Sequence, residues 1–344
     1  MKSRALVVPR IHGEQARLEL MRLGALRMDL RILRDGEWIV LPVVEGAEIP
    51  SGFGEASERE FEPFTVPHAR EYRDLVQLPA TERELLPRSF DIVGDVVLIR
   101  IPPELERWGP DIGEALLRFV PGARIVGADH GVHGTERRRR LVPLAGAGDF
   151  RTIHRENGIA FDIDLERAYF SPRLAREHAR VAEDVEAGEE VDDLCCGIGP
   201  FAVTLARDGR ARRITAVDSN PAAIALLRST LSRYPYADRV EPIEADVAAF
   251  LSSARPVDRA ILNLPHEGIK YLPSVGTIVR PGGVVHYYEV TAREGADVRA
   301  EDLVNRIGGR AHWSLIDQHV VHPYSPQDDL VAFQFVRADP TEDV

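Results

Sequence analysis

The sequence predicts an α/β protein: a mostly parallel sheet wound with helices and closed by an antiparallel hairpin, preceded by two smaller α+β units. Three observations carry this expectation. From about Pro172 onward, apolar strand-like runs alternate with helical segments, which implies right-handed crossovers and a parallel sheet. The first of these runs passes straight into a glycine-rich turn and a helix start at Val191–Ala202. The last two runs, His312–Val321 and Leu330–Val336, have no helix between them and should pair antiparallel.

The elements follow in order. Ala5–Val8 reads as a short strand, Gly13–Leu23 as an amphipathic helix, and Leu30–Leu33 with Glu37–Val44 as a hairpin around Asp35-Gly36. These make a small N-terminal α/β domain over residues 1–66. Residues 50–80 are rich in Pro, Gly and Glu with weak periodicity, as a linker is, and its core is set at 67–80. A middle α+β domain, 81–170, holds a strand at Asp91–Ile101, a helix at Gly113–Phe119 and short strands at Arg124–Val126 and Arg151–His154. It ends with a turn at Glu156-Asn157-Gly158 and an alternating strand at Ile159–Leu165. The third domain, 171–338, opens with a helix at Ala175–Ala187. Helices at Phe201–Asp208, Pro221–Tyr234, Val247–Ala254, Glu267–Val279 and Ala300–Ile307 then alternate with strands at Arg213–Asn220, Arg239–Asp246, Asp258–Pro265 and Gly283–Val290.

Composition narrows the class. The 344 residues are 44% hydrophobic and 28% charged, typical of a soluble globular protein. No apolar run approaches the ~18–20 residues of a bilayer span, and MKSRALVVPRIHGEQ lacks a signal peptide's apolar core. The expected location is the cytoplasm, without membrane association, and the expected state is a monomer. Cys195 and Cys196 are adjacent and no cluster has zinc spacing, so neither a disulfide nor a metal is expected. The net charge of −12 argues against a nucleic-acid partner by its sum alone. Its distribution is less hostile: lysine occurs only at Lys2 and Lys270, and the densest basic cluster is Arg137–Arg140.

The turn at Gly197-Ile198-Gly199-Pro200-Phe201-Ala202 suits a nucleoside-bearing cofactor, because the backbone can approach a ligand and helix N–H groups face it. Alone, it also fits the dinucleotide pattern G-x-G-x-x-G/A. Polar groups at the strand ends separate the two. Asp193 precedes the turn, Asp218 ends the second strand where it could accept from ribose hydroxyls, Asp246 ends the third, and Asn263-Leu264-Pro265 ends the fourth. This pattern resembles the Rossmann-like class I methyltransferases that use S-adenosylmethionine.

Further stretches sharpen the resemblance. LPRSFDIVGDVVLIRIP at 86–102, TIHRENGIAFDIDLERAYFSPRL at 152–174 followed by Glu177, DLCCGIGPF, AVDSNPAA and NLPHEGIKYL at 263–272 occur in this order. Together they resemble the archaeal and eukaryotic tRNA (guanine-37-N1)-methyltransferases, over about residues 86–336. The resemblance implies a tRNA-modifying enzyme that methylates guanosine 37. It also implies that the N-terminal domain meets the tRNA body and the middle domain the anticodon stem. Two departures stand out: Glu177-His178 where the family has Glu-Arg, and His266-Glu267-Gly268 after Asn-Leu-Pro.

By the same resemblance, roles fall on particular residues. Guanine N1 carries a proton at neutral pH, so methylation needs a base and a partner for charge developing on O6. Glu177 is the candidate base and Arg137 the candidate O6 partner, with Arg138 the alternative register in the arginine run. Asn263 would hold the base edge and Pro265 would fix its loop. Asp193, Asp218 and Asp246 would bind the cofactor's amino-acid end, ribose and adenine side. Gly197 and Gly199 would cradle it, Arg173 would contact its carboxylate or order the loop above it, and Tyr169 and Phe201 would pack around it. His154 and His286 read as core or capping residues, whereas His130 and His133 could touch RNA. The target base must leave its stack to reach such a cleft.

Three rivals remain at this point. One is the wybutosine-pathway aminocarboxypropyl transferase acting on tRNA position 37, whose proteins carry a Ser-x-Gly-Asn segment where this chain has Ser171-Pro172-Arg173-Leu174. The second is a non-catalytic tRNA-binding protein. The third, a small-molecule methyltransferase, leaves the first ~170 residues unexplained.

Overall fold

A computed structural model describes residues 1–27, 29–47, 49–50, 52–63, 69–133, 138–308 and 312–339. Its contacts divide the chain into two compact units, Met1–Gln77 and Leu78–Val344.

The first unit is an antiparallel sheet with one helix. Its strands are β1 (Lys2–Pro9), β2 (Leu33–Asp35), β3 (Trp38–Pro42) and β4 (Glu55–Glu60), in the spatial order β2-β3-β1-β4. Helix α1 (Gly13–Arg22) buries Ala16 and Leu20, one turn apart, over Leu6, Val8 and Leu41. The β2–β3 hairpin turns at Asp35-Gly36 as expected, with Asp35 opposite Trp38. Glu55–Glu60, by contrast, lies within the stretch read as a linker, yet it pairs with β1 over six residues. As an edge strand exposed along most of its length, it carries no apolar alternation to betray it.

The second unit begins with the short helix α2 (Ala80–Arg83) and a four-stranded sheet of β5 (Asp91–Val93), β6 (Val96–Ile99), β7 (Ile125–His133) and β8 (Arg138–Gly146). The single strand expected at Asp91–Ile101 is therefore a tight hairpin, bent at Gly94-Asp95. Helix α3 (Gly109–Phe119) connects the parallel pair β6 and β7 and buries Ile112, Ala115 and Leu116. The expected short strand Arg124–Val126 grows into the long β7–β8 hairpin, so part of the arginine run enters a strand.

A second hairpin, β9 (Arg151–Glu156) and β10 (Ile159–Asp164), turns at Asn157-Gly158. The free edge of β10 is satisfied by side chains: Tyr234 Oη accepts from Ala160 N at 2.6 Å and Thr230 Oγ1 from Asp162 N at 3.0 Å.

The remaining strands form a seven-stranded sheet. Helix α4 (Ala175–Asp184) leads into β11 (Glu190–Leu194), followed by α5 (Pro200–Asp208), β12 (Arg213–Asp218), α6 (Pro221–Leu231) and β13 (Val240–Glu244). Then come α7 (Val247–Leu251), β14 (Val257–Leu262), α8 (Leu272–Ile278), β15 (Val279–Ala292), α9 (Ala296–Ile307), β16 (Trp313–Pro323) and β17 (Asp328–Arg337). The order is β13-β12-β11-β14-β15-β17-β16, parallel through β15 and antiparallel in the last two pairs. The expected architecture, a mostly parallel sheet with a C-terminal antiparallel hairpin, is what forms. Helices cover both faces, with Val181, Ala202 and Ile224 in one apolar layer and Leu272, Val275 and Leu303 in the other. The helix expected at Glu267–Val279 is split: a single 3-10 turn covers Gly268–Lys270 and α8 starts afresh at Leu272, because Pro273 suits a first turn and not a helix interior. Among the described residues, no helix is long and apolar enough to cross a membrane.

Candidate functional site

The sheet order reverses between β11 and β14, the two parallel strands from which the chain winds outward in opposite directions. In such sheets the crevice at the carboxyl ends of the diverging strands is the ligand site. Two segments picked out in the sequence leave from that point: Cys195–Gly199 after β11, and Asn263-Leu264-Pro265 after β14.

The first loop is wound through left-handed backbone at Cys195 (φ 61°), Gly197 (φ 57°) and Gly199 (φ 77°). At Cys195 that conformation costs a side-chain-bearing residue of order 1–3 kcal/mol, strain of the kind kept at functional sites. The two glycines differ in what surrounds them. A Cβ on Gly199 would lie 2.4 Å from Leu227 Cδ1, so this glycine serves packing against α6. A Cβ on Gly197 would meet nothing nearer than Tyr169 O at 3.5 Å, so that side of the loop is open to a ligand.

Of the three carboxylates picked out in the sequence, Asp218 and Asp193 bond to this loop or the helix start after it, and Asp246 does not. Asp218 Oδ2 accepts from Gly197 N at 2.7 Å and Oδ1 from Asn220 N at 2.8 Å. Asp193 is fully buried; its Oδ2 accepts from Ala202 N at 3.2 Å, whereas Oδ1 has no hydrogen-bond partner among the described residues. Burial, helped by neighbouring Asp218 and Asp192, pushes its pKa up to about 8 against the pull of the Ala202 N–H. A ligand ammonium would complete this carboxylate, so the site fits a cofactor carrying an amino-acid end. Asp246 is exposed and caps α7, accepting from Ala248 N at 2.8 Å and Ala249 N at 3.3 Å.

Glu177 lies in the first turn of α4 and is only 4% exposed. Its Oε1 accepts from Tyr288 Oη at 2.8 Å and Arg180 Nη2 at 2.9 Å, and Oε2 accepts from Arg180 Nε at 3.1 Å. His319 Nε2 stands 2.9 Å from the same Oε2, and His319 Nδ1 lies 2.9 Å from Asp317 Oδ2. Burial alone would raise the Glu177 pKa, but the hydrogen bonds from His319, Arg180 and Tyr288 bring it down to about 2. The bond to Glu177 in turn raises His319 above its usual value, against burial. Tyr288 shares its strand with Val290, whose N–H reaches Pro265 O at 3.4 Å, so β15 touches both the Glu177 cluster and the Asn263 loop.

Asn263 is half-buried, and its amide makes no hydrogen bond to any described residue. Arg137 lies outside the described residues; Arg138 begins β8, paired opposite His133. The arginine of this run that the structure seats is Arg139, which the sequence did not single out. Its guanidinium is buried in an ion pair with Asp129, donates from Nη2 to Phe170 O at 3.1 Å and stacks 5.3 Å from the Tyr169 ring centroid. Arg173 is partly exposed and donates from Nε to Asp91 Oδ1 at 2.9 Å. Phe201 is buried, edge-on to His178 at 4.6 Å and tilted against Tyr288 at 5.7 Å. His178, replacing the expected arginine, is itself buried, with Nδ1 2.7 Å from Glu156 Oε1. Among the described residues, no three His, Cys, Asp or Glu side chains are grouped to hold a metal ion.

Comparison with known proteins finds relatives along almost the whole chain. Residues 152–316 match the TRM5/TYW2 methyltransferase domain, residues 72–149 the TYW2 N-terminal domain, and residues 5–51 the tRNA methyltransferase 5 N-terminal domain. The chain is 34% identical over 337 residues to the tRNA (guanine(37)-N(1))-methyltransferase Trm5b of Pyrococcus abyssi, covering 96% of this chain and 98% of that one. The crystal structure of Trm5b from Pyrococcus abyssi superposes with a TM-score of 0.71 at 32% identity, over 98% of this chain and 99% of that one. A complex of aTrm5 and tRNALeu superposes with a TM-score of 0.68 at 28% identity, over 97% and 99% of the two chains. The tRNA(Phe) (4-demethylwyosine(37)-C(7)) aminocarboxypropyltransferase of Pyrococcus horikoshii is 28% identical over 212 residues, 62% of this chain and 75% of that protein.

Proposed function

Because the chain belongs to the archaeal- and eukaryotic-type tRNA (guanine-37-N1)-methyltransferase family, we propose that it methylates N1 of guanosine 37 in the tRNA anticodon loop, with S-adenosylmethionine as donor. The observation that carries the reading is the half-satisfied, fully buried Asp193 beside the open flank of Gly197. An ammonium and a nucleoside brought in together would meet both.

When bound, the cofactor supplies an electrophilic methyl group on sulfonium sulfur. The chain's own residues do the rest. Asp193 pairs with the amino-acid end, Asp218 adds ribose hydroxyls to the backbone donors it already serves, and Asp246 borders the adenine side. Arg173 orders the loop above the site, and Phe201 supports it from the core. Asn263, its amide uncommitted and its loop fixed by Pro265, holds the guanine edge. Glu177 takes the N1 proton, and Arg137 offsets charge developing on O6. The first 66 residues meet the tRNA body and residues 81–170 the anticodon stem.

Aminocarboxypropyl transfer is the second reading. One observation favours methyl transfer: the Pyrococcus abyssi methyltransferase aligns over 96% of this chain against 62% for the aminocarboxypropyltransferase. Unmodified tRNA transcripts with G or A at position 37, incubated with labelled cofactor and weighed by mass spectrometry, test both. A methyl-sized gain on the G transcript alone is expected. A larger gain identifies the other transferase, and no gain on either transcript overturns both readings.

A further inference from the structure

We propose that His319 is the positioning residue and proton outlet of Glu177: it accepts the proton that Glu177 takes from guanine and passes it to solvent beside Asp317. The proposal rests on Glu177 being the base. Its starting point is an imidazole held between two carboxylates, Nε2 to Glu177 Oε2 and Nδ1 to Asp317 Oδ2, each at 2.9 Å. Two ionised carboxylates offer only acceptors, and an imidazole satisfies both only when each nitrogen carries a proton. The heavy-atom arrangement is therefore the one that the proton-loaded ring would make.

The surroundings single out this ring as the switchable partner. From α4 come Glu177, Arg180 and Asp184, with Arg180 bonded to Glu177, to Asp184 at 3.0 Å and within 3.6 Å of Asp317. From β15 come Tyr288, which donates to Glu177, and His286, fully buried and hydrogen-bonded to Arg259 at 2.7 Å. Arg180 stays charged at any working pH. Burial beside the Glu177 carboxylate keeps the Tyr288 hydroxyl protonated, and burial next to Arg259 keeps His286 neutral. Of these groups, His319, 28% exposed on the edge strand, is the one that can gain and lose charge near neutrality.

This gives a balanced step. With His319 neutral, Nδ1–H donates to Asp317 and the Nε2 lone pair faces Glu177. The guanine N1–H bond breaks as its electron pair forms the N–CH3 bond, and the pair of the old C–S bond stays on sulfur. The proton passes to Glu177 Oε2 and on to Nε2, which restores the imidazolium between its two carboxylates. Loss of a proton at Asp317, whose side chain is 46% exposed, resets the ring. Turnover therefore begins from neutral His319, and Glu177 is released from one of its cations only in that form.

The test combines single-turnover rates against pH with a histidine ring titration by NMR, on the full chain and on H319Q, D317N and E177Q. The wild-type rate should rise with pH along a limb centred above 6.5, the usual histidine value. H319Q should lose that limb and run at least about tenfold slower on the alkaline plateau, short of the ~10²–10⁴-fold loss expected for removing the base itself. D317N should move the limb to lower pH, since a carboxylate that favours the imidazolium is gone. The ring signal missing from H319Q should titrate above 6.5 in the wild type and lower in D317N. A wild-type limb and rate in H319Q, or a His319 ring titrating at or below 6.5, overturns the proposal while leaving Glu177 in place. A wild-type rate in E177Q overturns the base assignment and this proposal together.

Discussion

The Ala202 N–H donates to Asp193 Oδ2 at 3.2 Å and leaves Oδ1 of the same carboxylate buried with no partner among the described residues. Such a group is held protonated while the crevice is empty, and its pKa is pushed up to about 8 by burial and by its acidic neighbours. An incoming ammonium favours the ionised form and lowers that pKa. Cofactor binding should therefore release a proton below pH 8 or so and weaken as pH falls. Calorimetry in buffers of different ionisation enthalpy reads this directly; binding without proton release would remove Asp193 from the role.

Stability should move the opposite way at the same residue. Its folded pKa lies above the unfolded value of 3.8, so the stability it contributes is full below that value and lost as pH rises through about 8. Asp193→Asn should accordingly melt higher than wild type on the alkaline side, while binding the cofactor roughly 10- to 100-fold more weakly.

The two loop glycines should separate under one substitution. Gly197→Ala meets no close neighbour and should cost only about 1–2 kcal/mol for its left-handed backbone, yet a methyl there would fill the open side of the loop that we propose the cofactor takes. Gly199→Ala collides with Leu227 and should lower the melting temperature more. Thermal melts paired with cofactor titrations check this; comparable melting losses in both variants would mean that Gly197 is also a packing position.

Glu177→Gln should slow transfer by about 10²–10⁴-fold with little change in cofactor affinity. The wild-type carboxylate, at about 2 in the fold, contributes stability above the unfolded value of 4.5 that is lost as pH falls toward 2. The variant's acid unfolding curve should be correspondingly flatter. Equal losses in rate and in cofactor binding would point to a scaffolding role.

Arg139→Ala should leave buried Asp129 with only the Gly131 N–H at 2.9 Å and the exposed Arg100 at 3.9 Å, and free the Tyr169-Phe170 segment beside the glycine loop. Breaking a buried ion pair typically costs 3–5 kcal/mol or so. Restoration by Asp129→Asn in the same chain, measured by denaturant unfolding, would identify the uncompensated charge as the cause.

Legibility in the sequence followed the range of the interactions. The strand–turn–helix at Val191–Ala202 and the helix start at Pro221 depend on neighbours a few residues apart, and those elements formed where they were expected. Glu55–Glu60 is a strand only because β1 lies beside it, and its polar side chains announce nothing. A run of four arginines reads as solvated surface; that Arg139 turns inward depends on Asp129 across a hairpin. His319 meets Glu177 across 142 residues of chain, through a sheet order no local periodicity encodes.

That order also dictates when the molecule becomes competent during its own synthesis. The strand bearing Asp317 and His319 cannot dock until β17, which follows it in the chain, has threaded between it and β15. A nascent chain can thus shape the crevice between β11 and β14 early and still lack the contact between Glu177 and His319 until residues 328–337 have been made.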